Sequence, residues 1–162
     1  MKYIKKALTV GLLAGYAGKN ADIKDIVRAG FRGKSSDVML SNGKYHDEWF
    51  VPTHTGGGQE FVDVNGQKFT RLYGGGTPDR EVLDFLGITD KDVNDFLKRN
   101  ISQLGEKTRL FTDCLPEADG VWQYAYKVTS NEKEIGVVTG IETIDYSGTR
   151  VHIHAFILSP IE

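Results

Sequence analysis

The groups best suited to chemistry in this chain are two glutamates, an arginine and two histidines, all set in runs of alternating apolar and polar residues. Glu60 opens the stretch EFVDVNGQKFTRLY and Glu142 opens ETIDYSGTRVHIHA, each with a glycine six positions on. A pair of carboxyl groups can act as acid and base in hydrolysis when their surroundings separate their proton affinities and place water or substrate between them. The same pair can form the polar floor of a ligand site, with Arg71 compensating Glu60. His152 and His154, two apart on an expected strand, project from one face and can begin a metal site, which needs a third ligand. In the expected hairpin register Glu142 lies on the opposite face from both, so neither a metal nor a cofactor is expected. Cys114 is the single cysteine; it has no intrachain disulfide partner, and no activating neighbour marks it as a nucleophile.

The elements that must position these groups are hairpins. Asn65-Gly66 suits a two-residue turn with positive backbone angles, and Ser147-Gly148 can do the same. With Val64 opposite Gln67, Asp63 meets Lys68, Val62 meets Phe69 and Glu60 meets Arg71. With Tyr146 opposite Thr149, Asp145 meets Arg150, Ile144 meets Val151 and Glu142 meets Ile153. Both glutamates then share a face with Val or Ile, and the two stretches read as a repeat with matching register. The bland alternative is that Glu60 is neutralised by Arg71 while Glu142 accepts backbone donors at a bulge near Gly140.

A length of 162 residues with 40% hydrophobic content suits one domain, 1–162, with a substantial core. Twenty Lys and Arg against 22 Asp and Glu give a formal charge of −2, so no basic field proposes nucleic acid as a direct partner. Lys2, Lys5 and Lys6 ahead of the apolar run from Ala7 to Ala17 resemble the opening of a secretion signal, yet the run is too short to span a bilayer. An unprocessed cytoplasmic protein is expected, without a membrane partner, its first helix carrying Ile4, Leu8, Gly11 or Leu12 and Gly15 near one face.

Asp22 to Ala29 reads as a short helical or irregular element, and Arg28 to Asp37 as a polar loop whose amides and cations can hold an anion, without the spacing of a phosphate-binding motif. Val38 to Leu40 and Tyr45 to Val51 read as strands around a turn, with Trp49 and Phe50 as packing residues. PTHTGGG interrupts the second strand and leaves His54 in a surface turn, while Gly74 to Gly76 ends the first repeated hairpin. Thr77-Pro78 reads as the cap of a helix from Asp79 to Leu86. Thr89 caps a longer helix, Asp90 to Leu104, whose stripe is Val93, Phe96, Leu97, Asn100, Ile101 and Leu104. Trp122, Tyr124, Tyr126 and Val128 alternate on a strand, Ser130 to Glu132 turns the chain, and Ile135 to Glu142 leads into the second hairpin. Helices sit in a block between groups of strands, which predicts an α+β fold: a mainly antiparallel twisted sheet with two related hairpins and packed helices.

Tyr16-Ala17-Gly18-Lys19, then Arg32, Ser35 and Asp37, then Tyr45-x-Asp47-x-Trp49, with Gly58-Gln59-Glu60 echoed by Gly140-Ile141-Glu142, resemble a domain family of bacteria and phages. Its members often sit C-terminal to helix-turn-helix regulators of the xenobiotic-response-element class. The resemblance spans most of the chain. This sequence departs from the family's pattern at Thr70 to Gly74, and Ala155 to Ser159 lacks its final histidine-glycine-glycine. The resemblance implies a regulatory accessory domain that binds a small molecule or another protein. Joined to the repeated glutamates, it predicts a ligand site at Tyr16, Arg32, Asp47, Glu60, Arg71 and Glu142, with no residue assigned a catalytic role. Two other readings stay open on the sequence. One is a hydrolase using Glu60 or Glu142 as acid or base on a small anionic substrate. The other is a phage protein that sequesters a host signalling component. Homo-oligomer formation also stays open.

Overall fold

The alternating segments assemble into one eight-stranded sheet. The computed structural model describes residues 2–18, 22–51, 54–109 and 111–161. Helix α1 (Lys2–Ala14) is followed by β1 (Ile23–Arg28), β2 (Phe31–Leu40), β3 (Gly43–Phe50), β4 (Thr55–Val64) and β5 (Gln67–Gly76). Two helices, α2 (Arg80–Leu86) and α3 (Asp90–Leu104), and a 3-10 turn (Gly105–Arg109) lead to β6 (Trp122–Glu132), β7 (Val137–Tyr146) and β8 (Thr149–Pro160). The strand order is β1-β2-β3-β4-β5-β8-β7-β6, antiparallel throughout. The fold is α+β. The two hairpins singled out in the sequence, β4–β5 and β7–β8, meet at the β5–β8 pairing, which brings their glutamates to the centre of the sheet.

Strand alternation sorts the side chains. Tyr45, Val62, Val64, Tyr124, Tyr126, Val138, Ile144 and Phe156 are buried on the inner face, where helices cover them. Helix α1 crosses β2, β3 and β4 and buries Ile4, Leu8 and Leu12, the stripe its periodicity predicts. It lies close because position 11 has no side chain: a Cβ there would sit 2.1 Å from Tyr45 Cγ. Helix α3 buries Val93, Phe96, Leu97 and Ile101, and the Phe96 ring stacks on Trp122 at 4.9 Å. Its start is fixed by a capping box in which the Thr89 side chain accepts from Asp92 N–H and the Asp92 carboxylate accepts from Thr89 N–H. Among the described residues no helix is long and apolar enough to cross a membrane.

Several expectations are corrected. The segment from Asp22 to Ala29 is strand β1, and the expected polar loop from Arg28 to Asp37 turns at Ala29-Gly30 and continues as β2. Its polar residues are compatible with a strand because many of them are exposed and Ser36 tucks under α1's end, where a Cβ on Gly15 would meet Ser36 Oγ at 2.5 Å. Gly74 to Gly76 do not end the hairpin; they pair with Ala155, His154 and Ile153. Pro52 and Thr53 of the expected PTHTGGG break lie outside the described residues, and Thr55 to Gly58 belong to β4. Thr77 does not cap α2, whose N-cap is Asp79. Ser130 to Glu132 remain in β6, and the turn comes after them at 133–136.

The repeat holds at the turns and diverges in register. Asn65 and Gly66 have φ of 53° and 76°, and Ser147 and Gly148 have 48° and 79°, the positive pairs that a two-residue hairpin turn requires. Val62 opposes Phe69 and Glu60 opposes Arg71 as expected. In the second hairpin Asp145 opposes Arg150 as expected, but a bulge at Val151 then slips the partner by one, so Ile144 faces His152 and Glu142 faces His154. The shared face of the two glutamates survives, because Glu142 and Ile144 alternate along their own strand whatever lies opposite. What the slip overturns is the placement of the histidines.

Candidate functional site

Between the inner face of the sheet, the C-terminal part of α1 and the flank of α3 lies a cavity of about 540 Å³, within the range of small-molecule sites. Its floor is built by strand pairing: Asp47 on β3 opposes Glu60 on β4, which opposes Arg71 on β5. All three are buried, as is Glu142. Arg71 Nη1 donates to Glu60 Oε2 at 2.6 Å, and Tyr45 O–H donates to Glu60 Oε1 at 2.8 Å. Tyr73 O–H donates to Asp47 at 3.0 Å, and Tyr124 O–H to Glu142 at 2.5 Å. Glu60 therefore pairs directly with the Arg71 guanidinium, Glu142 adds its charge, and tyrosine hydroxyls donate to all three carboxyl groups, which is part of the compensation that burial demands.

The electrostatics reflect that arrangement. Burial alone would weaken the hold of Arg71 on its proton, but the carboxylates of Glu60 and Glu142 act against it and the guanidinium stays charged. The Tyr16 hydroxyl is pushed up to about 12, first by burial and then by Glu142 and Asp47. Tyr73 is raised further, again by burial ahead of the charges of Asp47 and Glu60. Both phenols therefore remain protonated donors. His152 is shifted down by burial, against the opposing pull of Glu142, so its ring is neutral at pH 7.

Walls and mouth come from distant parts of the chain. Tyr16 and Trp49 meet edge to face at 5.8 Å, and with Tyr73 they give the cavity aromatic sides. Leu97, Ile101 and Asn94 of α3 form the opposite side. At one end His54 Nδ1 lies 3.2 Å from Asp90 Oδ1, to which Thr77 Oγ1 donates at 2.7 Å; this is where Thr77 goes instead of capping α2. At the mouth Lys34 pairs with Asp25 at 3.1 Å, and exposed Arg32 stands beside them without an ion pair among the described residues.

All six positions expected to bind a ligand, Tyr16, Arg32, Asp47, Glu60, Arg71 and Glu142, line this cavity. Sequence reasoning missed Trp49, treated as packing, along with Tyr73, His54, His152 and His154. Alternation with Asp47 was available as a signal for Trp49. For the histidines the signal was lost in the register: His154 was expected to face away from Glu142 and instead opposes it across the strands. The two imidazoles meet at 4.4 Å. Even with Glu142 beside them, no group of three or more His, Cys, Asp or Glu among the described residues is placed to hold a metal ion. Cys114 pairs with Tyr126 in a short bridge away from the cavity, and burial raises its thiol pKa, which makes it less reactive.

Two side chains in the cavity wall leave buried polar atoms without a partner among the described residues: Nε and Nη2 of Arg71, and both ring nitrogens of His152. Buried polar atoms are nearly always hydrogen-bonded in folded proteins, and these four, each with almost no accessible surface, are exceptions. A comparison of the chain with protein-family models, with curated proteins and with solved structures finds no match.

Proposed function

We propose that this chain is a non-enzymatic binding domain that holds one small, uncharged, planar ligand between its sheet and α3. The observation that carries this reading is a cavity of about 540 Å³ with aromatic sides from Tyr16, Trp49 and Tyr73 over a floor of buried charged residues. Aromatic walls favour a flat ligand, while the carboxyl-rich floor favours one that brings hydrogen-bond donors. The resemblance to regulator-associated domains supports a sensing role in the cytoplasm, where the lone Cys114 stays reduced.

The hydrolase alternative is less well supported by the same floor. At the floor a small anionic substrate would meet Asp47, Glu60 and Glu142 with Arg71 to offset them, while Arg32 and Lys34 stand at the mouth, and like-charge contacts at low dielectric are costly. Sequestration of a host signalling component remains compatible with the binding reading whenever that component is itself a small molecule.

The test uses the single tryptophan of the cavity as reporter. In a Trp122→Phe background, Trp49 is the remaining tryptophan of the two. A panel of uncharged, cationic and anionic metabolites is titrated while Trp49 fluorescence and the melting temperature are tracked. At least one uncharged compound should change the fluorescence saturably and raise Tm, and Asn94→Phe, which fills the cavity from α3, should abolish both effects. A panel without any such compound, or ligands that bind Asn94→Phe equally well, would refute the site.

A further inference from the structure

The sheet has two edges, and they are finished differently. Along β6 the outward backbone groups are taken up. Cys114 and Tyr126 exchange hydrogen bonds of 2.8 and 2.9 Å, Asp119 and Trp122 exchange another pair, and the Asp113 carboxylate accepts from Val128 N–H at 2.8 Å. At the other end of the strand order β1 is paired on one side only, with β2, among the described residues, and five of its six residues are exposed. Unpaired groups along such an edge are a template for a further strand.

The turn that follows β1 fixes which of its groups are unpaired. Ala29 and Gly30, with φ of 50° and 87°, make a two-residue hairpin turn, and the pair that closes it, Arg28 and Phe31, is hydrogen-bonded. Bonded and non-bonded pairs alternate along an antiparallel ladder, so Arg28, Ile26 and Lys24 direct their backbone groups to β2. Ile23, Asp25 and Val27 therefore point N–H and C=O away from the sheet.

In one register β1 is its own complement. With a two-fold axis at Asp25, Ile23 opposes the partner's Val27, Asp25 opposes the partner's Asp25, and Asp22 opposes the partner's Arg28. Residues with outward groups then face one another, and each such pair exchanges two backbone hydrogen bonds. Ile23 and Val27, 40% and 60% exposed, cover one another on one face, and Asp22 and Arg28 bring opposite charges together on the other. Moving one copy by two residues sets Lys24 against the partner's Lys24 or the partner's Arg28 and shortens the ladder. A one-residue slip turns outward groups onto inward ones. The charges of β1 are already answered within their own sheet, Lys24 by Asp37 at 3.4 Å, Asp25 by Lys34 at 3.1 Å and Arg28 by Glu48 at 2.5 Å. The remaining unfavourable contact is Asp25 against the partner's Asp25, since like charges directly opposite destabilise a strand pair.

We propose that two copies of this chain pair through β1 about a two-fold axis at Asp25, joining two eight-stranded sheets into one. The contact is isologous and gains its affinity from main-chain bonds; its small size puts it in the weak, reversible class. Asp25, Arg32 and Lys34 also line the mouth of the cavity, so the pairing sets the two mouths on either side of the axis, with the partner's Asp25 at the rim of each. It does not depend on what the cavity holds.

Sedimentation equilibrium of the full chain from micromolar to millimolar concentration should show a monomer–dimer equilibrium. Two substitutions at the axis should move it in opposite directions. Asp25→Thr removes the like-charge contact and should tighten the dimer about 2- to 5-fold. Asp25→Pro deletes an N–H that β2 does not use, so it should weaken the dimer at least about ten-fold while the monomer keeps its melting temperature. Register is read by cross-linking in a Cys114→Ser background. A hydrogen-bonded antiparallel pair holds its Cα atoms about 5.5 Å apart, within disulfide reach, so Asp25→Cys should give a disulfide-linked dimer on mild oxidation. Lys24→Cys and Ile26→Cys should not, because neither residue opposes its own copy. A dimer insensitive to Asp25→Pro, or equal cross-linking at all three positions, would overturn the proposal and place the contact elsewhere on the molecule. A chain that stays monomeric throughout would also overturn it, leaving the edge to a strand from a different protein.

Discussion

Replacing Arg71 by methionine is the sharpest test of how the floor of the cavity is held. Methionine keeps much of the length and apolar stem while removing the charge. Arg71 Nη1 and Glu60 Oε2 are 2.6 Å apart with side-chain exposures of 6% and 1%, so solvent screens the pair little. With charge centres roughly 4 Å apart and an effective dielectric near 20, their attraction is about 4 kcal/mol. Loss of the arginine leaves Glu60 held by the Tyr45 hydroxyl and removes the cation on which Glu142 also acts. Breaking one side of a buried pair costs about 3–5 kcal/mol, a large share of the roughly 5–15 kcal/mol that holds a domain together. Glu60→Leu should cost less, because Arg71 keeps Glu142 as a counter-charge. The double variant Glu60→Leu/Arg71→Met should be more stable than Arg71→Met alone. Urea unfolding at pH 7, monitored by far-UV circular dichroism, gives the four corners of the cycle. A cost for Arg71→Met below about 1 kcal/mol, or single effects that add within about 0.5 kcal/mol, would refute the claim that this pair is the floor's main compensation.

Burial and packing set two further outcomes. His152 has a lowered pKa when folded, so the unfolded chain binds the extra proton first. Stability is therefore full above the unfolded value of about 6.5 and falls as pH drops below it, by up to about 1.4 kcal/mol per pH unit until the folded ring also protonates. Urea midpoints from pH 8 to pH 5 should show this slope in the wild type and a shallower one in His152→Phe; equal slopes would show that another group dominates. Gly11→Ala should destabilise the chain by about 1–3 kcal/mol through its approach to Tyr45, although alanine is the better helix former by about 1 kcal/mol. A higher Tm for this variant would mean that α1 can lift from the sheet without cost.

What could be read without a structure was what depends on near neighbours. The stripe and cap of α3 are written into fifteen consecutive residues and Thr89, and the start and end of that helix emerged where the periodicity placed them. The paired turns at Asn65-Gly66 and Ser147-Gly148 come from backbone angles that few residues accept. Alternation alone put Glu60 with Val62 and Glu142 with Ile144, and it held through a register error because it is a property of one strand. Tertiary structure decided everything that needed a second strand or a covering helix. A bulge at Val151, a residue with no local mark of one, turned His152 and His154 toward Glu142. β1 and β2 are strands despite weak patterning, since β2 pairs with β3 on one side and with β1 on the other, which supplies the backbone hydrogen bonds that their side chains do not announce. The cavity itself is the meeting of α1, α3 and the strands between them. No segment of sequence encodes it, because its free energy lies in contacts between residues far apart along the chain.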